Sequence, residues 1–314
     1  MDTTAHFERN SFAYPIGDYL QSLPQEMRIC GLQDYLEELW NKCKEKQQSN
    51  SEYIKLFIGK NLYNNRRIFD QYISGLRNPT LQFINLFFEY CKSLGIMVDY
   101  KNLQEKRFKF GHGGNAATAI LPTTISPKLA YLVGAMRDGT LALCGKYEVS
   151  YSQKNKEWLY FVRNLIKETF SPSNEPRIAQ ENRVTLSNRP IFEFLHNIFE
   201  IPIGDKVHWL TPNIINKSPF AIQRYYIRGF FDADGLSELG FCQANYQVLV
   251  DIKTMLEKNG IKCCPIHKRP LKEGQKHNMF TMLISRKDNN HIKFIKTIGC
   301  SNESKAKYFI SLRP

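Results

Sequence analysis

The feature that most constrains this chain is a repeat: two apolar helical stretches, each about three turns long, that end in Asp-Gly. The first, Pro127 to Gly139, reads PKLAYLVGAMRDG; the second, Ile222 to Gly235, reads IQRYYIRGFFDADG. Each aspartate is badly placed for a helix, because a carboxylate in the last turn meets the negative end of the macrodipole and costs stability unless a cation offsets it. Gly139 and Gly235 are expected to stop the helices in the left-handed conformation.

The repetition runs on past these helices. Ser152 to Asn155 precedes an amphipathic stretch with Trp158, Phe161, Val162, Leu165 and Ile166, and Cys242 to Asn245 precedes one with Val248, Ile252, Met255 and Leu256. Leu186 to Arg189 then leads into a helix carrying Phe192, Leu195 and Phe199, and Ile284 to Lys287 into one carrying Ile292, Phe294 and Ile295. Each half reads helix, strands, helix, strands, helix, so one α+β chain carries two halves related by pseudo-symmetry.

Ala130 and Gly134 lie four apart on one helix, as Gly229 and Ala233 do on the other, which lets the two backbones cross closely. Crossing helices bring their ends together and set Asp138 beside Asp234. Adjacent carboxylates repel and favour a cation between them. Oxygen ligands alone select a hard ion, Mg²⁺ or Mn²⁺, and such ions activate water against phosphodiesters.

Charge agrees with a polyanionic partner: 43 Lys+Arg stand against 30 Asp+Glu, a net +13,. Residues 1–100 hold 11 and 12 of these and the rest of the chain 32 and 18, so the basic surface belongs to the C-terminal two-thirds. No apolar run approaches the ~18 to 20 residues of a membrane span and the start is polar, so no membrane partner is expected and the location expected is intracellular, cytoplasmic or organellar. The eight cysteines show no paired CxxC spacing. Buried free thiols are expected, rather than a zinc site built from Cys263, Cys264, His267 and His277.

Ile227 to Gly235 (IRGFFDADG) resembles the LAGLIDADG motif, and Leu132 to Gly139 resembles its partner copy in a two-motif, monomeric LAGLIDADG homing endonuclease. The resemblance covers residues 122–312. It implies a pseudo-twofold pair of αββαββα halves whose sheets form a saddle over the major groove of double-stranded DNA, and cleavage of both strands with short 3′ overhangs. It also implies that Asp138 and Asp234 hold the metal, with Gly139 and Gly235 beside them. Gln153 and Gln243 would order water, and Arg189 and Lys287 would stabilise charge near the scissile phosphate. Contacts to bases and phosphates fall on Lys146, Glu148, Ser150, Ser152, Arg177, Gln180, Asn182 and Arg183 in the first half. In the second half they fall on Lys262, His267, Lys268, Arg269, Lys272 and Lys276.

The two copies differ. Gly134 to Asp138 is four positions and Gly229 to Asp234 is five. Arg137 stands where the second copy has Ala233, free to pair with its neighbouring carboxylate or to point to a phosphate. Asp138 to Gln153 is 15 positions but Asp234 to Gln243 only 9, so the DNA site is expected to be asymmetric.

Residues 32–99 carry helical periodicity, with Gly75 stopping one helix and Pro79 and Thr80 starting another. This resembles the phage-repressor type of helix-turn-helix, with a recognition helix near Asn64 to Ser74 presenting Asn65, Arg66, Arg67 and Gln71 to DNA. The organisation expected is a small all-α, helix-turn-helix-like domain over 1–100, a linker over 101–121, and LAGLIDADG halves over 122–217 and 218–314. Two other functions fit this outline: a LAGLIDADG-derived transcription regulator without nuclease activity, and a maturase that binds structured intron RNA. Retention of both Asp138 and Asp234 favours the nuclease over the regulator.

Overall fold

The computed structural model describes residues 14–15, 19–46, 65–111, 116–143, 146–179, 182–270, 276–302 and 305. In its front part, β1 (Tyr14–Pro15), α1 (Tyr19–Ser22), β2 (Arg28–Cys30) and α2 (Gln33–Lys46) precede α3 (Asn65–Ile73) and α4 (Leu81–Ser93). Phe69 of α3 joins the helices, its ring 5.1 Å from Trp40 of α2 and 5.6 Å from Phe83 of α4. Gly75, at φ +72°, takes the left-handed position after α3,. Thr80 caps α4 by accepting from the Phe83 N–H at 3.3 Å,.

This front part is not all helical, and residues 101–121 are more than a linker. β2 pairs antiparallel with β3 (Arg107–Lys109), and β3 with β4 (Thr118–Ile120). Ile29, Phe108 and Ala119 stand opposite one another across the three strands and are fully buried. That apolar row holds a sheet whose strands are too short to show a pattern of their own. β5 (Thr124–Ile125) pairs with β1. The small sheet is stitched to residues 171–173: Arg107 Nη1 donates to the Ser171 carbonyl at 2.8 Å, and the Ser173 N–H to the Thr118 carbonyl at 2.8 Å.

Next come α5 (Pro127–Ala135), β6 (Gly139–Ala142), β7 (Glu148–Ser152), α6 (Lys156–Phe170), β8 (Arg177–Ala179), β9 (Arg183–Ser187) and α7 (Arg189–Phe199). After the short α8 (Asn213–Lys217) stand α9 (Phe220–Asp234), β10 (Gly235–Leu236), β11 (Gly240–Gln243), α10 (Tyr246–Lys258), β12 (His267–Lys268), β13 (Phe280–Leu283) and α11 (Asn290–Thr297). Ser126, Asn155, Asn188 and Asn245 cap α5, α6, α7 and α10 by accepting from backbone N–H groups, as the polar residues before each apolar run predict,. The strands form two antiparallel four-stranded sheets, β6-β7-β9-β8 and β10-β11-β13-β12. In the first, Val149, Tyr151, Val184 and Leu186 are buried against the helices, while the alternate residues Glu148, Ser150, Ser152 and Arg183 line the opposite face,.

α5 and α9 cross with their backbones in contact. A β-carbon on Gly134 would overlap the Tyr226 carbonyl oxygen and lie 2.7 Å from Phe230 N; one on Gly229 would overlap the Tyr131 carbonyl oxygen and lie 3.0 Å from Ala135 N. No larger residue fits either position at this separation.

The unequal spacing after these glycines is absorbed in part by a change of turn. After α5 the chain tightens, with N–H to carbonyl bonds from Arg137 to Gly134, Asp138 to Ala135 and Gly139 to Met136. α9 stays α-helical through Asp234. The last bonds before Asp138 span three residues instead of four, and a 3₁₀ turn rises and rotates more per residue than an α turn, so the tightening makes up part of the missing step,. Both aspartates still reach the same site, where the charge of Asp138 acts on Asp234. Gly139 and Gly235 do not take the left-handed conformation expected of helix stops: Gly235 has φ −72° and ψ 150°, and both glycines open strands, β6 and β10. Crowding explains Gly235, where a β-carbon would overlap the Phe231 ring and carbonyl oxygen; at Gly139 it would meet only the movable end of the Met136 side chain, with the Ser150 carbonyl oxygen at 3.2 Å.

Candidate active site

Asp138 and Asp234 come together where α5 and α9 end. Gln153, just past β7, donates Nε2–H to Asp138 Oδ2 at 2.9 Å, and Gln243, the last residue of β11, donates to Asp234 Oδ2. Among the described residues the Oδ1 atom of each carboxylate has no hydrogen-bond partner. Burial pushes the Asp138 carboxyl up, against the pull of Lys206, Lys305 and Gln153. Burial and then the charge of Asp138 push Asp234 up to about 6. Two carboxylates held this close carry negative charge that the chain only partly offsets, and their free oxygens suit a hard divalent cation.

The offsetting charges are Lys206 and Lys305. Lys206 follows α7 and donates from Nζ to the Arg137 carbonyl, and to that of Met136 at 3.4 Å. Lys305 follows α11 and donates to the carbonyls of Phe231 at 2.8 Å and Ala233 at 3.1 Å. Each thus covers the carbonyls of the helix end that carries one aspartate. Burial lowers both ammonium groups, Lys206 to about 8; Asp138 and Asp234 pull Lys206 back up, and Asp232 first and then the same pair pull Lys305 back up.

Sequence reasoning named Arg189 and Lys287 as the basic residues near the scissile phosphate, and the structure brings neither of them to the carboxylate pair. Arg189 heads α7 facing the front part: Nη2 meets Glu26 at 3.1 Å, Nε meets Glu193 at 3.2 Å, and the guanidinium lies 3.8 Å from the Phe110 ring and 4.4 Å from that of Tyr147. Lys287 is exposed in the turn before α11, where its carbonyl accepts from Asn290. Lys206 was missed because it lies in a loop without periodicity, and Lys305, though helical, because it falls beyond the repeated pattern. Their one sequence signal is similar spacing, 68 positions after Asp138 and 71 after Asp234. Arg137, expected to meet its neighbouring carboxylate or a phosphate, is buried and turned inward instead, bonded to the carbonyls of Trp209 and Leu210.

Of the residues expected to touch DNA, those described in the two halves lie on the sheet strands and on the turns and loops beside them. Arg183 reaches Glu148 at 2.7 Å and the Ser150 hydroxyl at 3.0 Å, so these three engage one another, and Ser150 is buried beneath. Lys146, Ser152, Arg177 and Asn182 are exposed, as are His267, Lys268, Arg269 and Lys276. Lys262 is exposed and pairs with Asp288 at 3.2 Å. Gln180 and Lys272 lie outside the described residues. On α3, Arg67 is exposed and Gln71 half-buried; the side chains of Asn65 and Arg66 lie outside those described. Among the described residues no group of three or more His, Cys, Asp or Glu forms a metal cluster, Cys263 and Cys264 included. Within them, too, no helix is long and apolar enough to cross a membrane.

No protein-family profile matches the chain. A curated relative does: the chain is 32% identical over 154 residues to homing endonuclease I-ApeI of Aeropyrum pernix, covering 44% of this chain and 69% of that protein. Among solved structures it is similar to I-DmoI in complex with DNA and Mn, at 19% identity, 56% of this chain, 98% of that chain and a TM-score of 0.44. It is also similar to mesophilic variants of the homing endonuclease I-DmoI, at 17% identity, 55% and 95% coverage and a TM-score of 0.43. With the IRGFFDADG motif in place and identity of this extent to a homing endonuclease, the chain belongs to the LAGLIDADG homing endonucleases.

Proposed function

We propose that this protein is a site-specific endodeoxyribonuclease that hydrolyses both strands of a long, asymmetric double-stranded DNA site, with a divalent ion, Mg²⁺ or Mn²⁺, held by Asp138 and Asp234. The observation that carries this reading is the meeting of the two aspartates at the ends of crossing helices, each with its own glutamine donor and the pair flanked by two lysines. When bound, the ion supplies positive charge against the phosphate and an acidified water. The rest falls to the chain. Gln153 and Gln243 hold one oxygen of each carboxylate and leave the other for the metal. Lys206 and Lys305 add positive charge that favours a phosphate over other ligands. Lys206, lowered to about 8, exchanges a proton at Nζ near neutral pH,.

The matching strand orders of the two sheets support pseudo-twofold αββαββα halves acting together as a monomer, with their open faces across the major groove,. The unequal hairpins support an asymmetric site. α3, the turn at Gly75 and α4 support a helix-turn-helix contact to flanking DNA through Arg67 and Gln71,.

The test uses a plasmid carrying the sequences that flank the gene, rejoined without it. Cutting with Mg²⁺ and none with EDTA is the expected result. Binding that is never followed by metal-dependent cutting moves the protein to the regulator class, and preferential binding of the folded intron RNA moves it to the maturase class.

A further inference from the structure

Beside the carboxylate pair lie two buried charges of opposite sign, Arg137 three residues past Gly134 and Asp232 three past Gly229. Asp232, on α9, is fully buried. Its carboxylate accepts from the Tyr131 hydroxyl at 2.7 Å, the Cys300 thiol at 2.7 Å, the Ser301 N–H at 2.9 and 3.0 Å, and the Asn302 N–H at 3.3 Å. Every one of these donors except Tyr131 belongs to the stretch 300–302, which leads directly to Lys305. On the other side, the buried Arg137 donates to the Trp209 carbonyl at 2.9 Å, the Leu210 carbonyl at 3.1 Å and the Tyr226 hydroxyl at 2.9 Å, with its guanidinium 3.8 Å from the Trp209 ring. Those carbonyls belong to the stretch that carries Lys206.

The two arrangements are one device in opposite signs. An anion gathers backbone N–H groups of one lysine segment; a cation gathers backbone carbonyls of the other. The bracing tyrosine comes from the opposite helix in both cases, Tyr131 of α5 to Asp232 and Tyr226 of α9 to Arg137. Each tyrosine stands three residues before the glycine of closest approach, so the helix crossing that sets the aspartates also aims the braces. A buried charge without partners is strongly unfavourable. Here the partners that satisfy it are the stretches next to the lysines.

We propose that Arg137 and Asp232 are positioning residues: Arg137 fixes the Trp209–Leu210 stretch beside Lys206, Asp232 fixes the 300–302 stretch beside Lys305, and each thereby places its lysine against the carboxylate pair. This rests on the reading that the two lysines serve the cleavage reaction.

The experiment measures single-turnover cutting of the rejoined-site plasmid in Mg²⁺ by Arg137→Lys, Lys206→Met and the double variant, and by Asp232→Asn, Lys305→Met and their double. Affinity is measured in EDTA and folding by circular dichroism. Each positioning variant is expected to cut about 10- to 100-fold more slowly at unchanged affinity, and each double variant to be no slower than its lysine variant alone. Rate losses that multiply in the doubles, or parental rates in folded Arg137→Lys and Asp232→Asn, overturn the proposal. Parental rates in the lysine variants themselves overturn the reading beneath it, which is a separable result. Should a charge variant fail to fold, Tyr226→Phe and Tyr131→Phe remove one hydroxyl each and replace it. They are expected to slow cutting only while the corresponding lysine is present; parental rates there overturn the proposal.

Discussion

The backbone carbonyl oxygen of Tyr226 sits where a side chain on Gly134 would have to begin. The reciprocal contact, Tyr131 against Gly229, makes the crossing of α5 and α9 a backbone-to-backbone interface. Replacing either glycine by alanine forces the helices apart, because backbone cannot swing away as a flexible side chain does. Gly134→Ala and Gly229→Ala are each expected to cost about 3 kcal/mol, read as a lower denaturant midpoint at unchanged slope. A midpoint equal to the parent's means the helices are not in contact.

Asp234 is held in a state that metal-free protein tolerates poorly. Its carboxyl titrates at about 6 in the folded chain against 3.8 for the ordinary group, so the folded state binds the proton more tightly. This contribution stabilises the metal-free fold below pH 3.8 and is lost as pH rises through about 6,. Solvent reaches this carboxylate, so the effect is about 1 kcal/mol after screening. Asp234→Asn is expected to melt higher than the parent in EDTA at pH 8, by a margin that shrinks at pH 5, and to lose metal-dependent cutting. Equal melting at both pH values contradicts the origin assigned to the shift.

Arg189 belongs to the joint between the front part and the first sheet. Arg189→Gln removes contacts to Glu26 and Glu193 and the stacking on Phe110 and Tyr147. A stability loss of about 1 kcal/mol is expected, with faster hydrogen exchange in β3 and β4 and a cutting rate near the parent's. A rate loss as deep as that of Lys206→Met would return Arg189 to the active site.

The exposed pair Lys268 and Arg269 extends from β12 on the second sheet. If they meet phosphates, each change to alanine lowers the slope of log affinity against log salt by about 1. An unaltered slope takes them off the DNA.

Much of the site was legible because its parts recur. Helix ends at Asp138 and Asp234, and glutamines at Gln153 and Gln243, fall in equivalent places of a repeated pattern, so one copy supports the other. Arg189 and Lys287 also recur, but what they share is a place just before a helix, and the surroundings of that place differ between the halves. Lys206 and Lys305 sit beyond α7 and α11, outside the repeated pattern, where nothing local marks them. The β2-β3 pairing was hidden for another reason: Arg28 meets Lys109 across 81 positions, and strands of three residues carry too little alternation to announce themselves,.

The tight turn from Gly134 to Gly139 bears on how such a chain can change. Two halves can differ by a residue here and still deliver their carboxylates to one site, because a switch of helical pitch makes up part of the missing step,. Adding that residue back to the first copy without restoring α-helical pitch would swing Asp138 by roughly a third of a turn, away from its partner. Loss of a residue at this junction is therefore survivable only together with tightening, and the two copies can drift apart in sequence length while their chemistry stays in register.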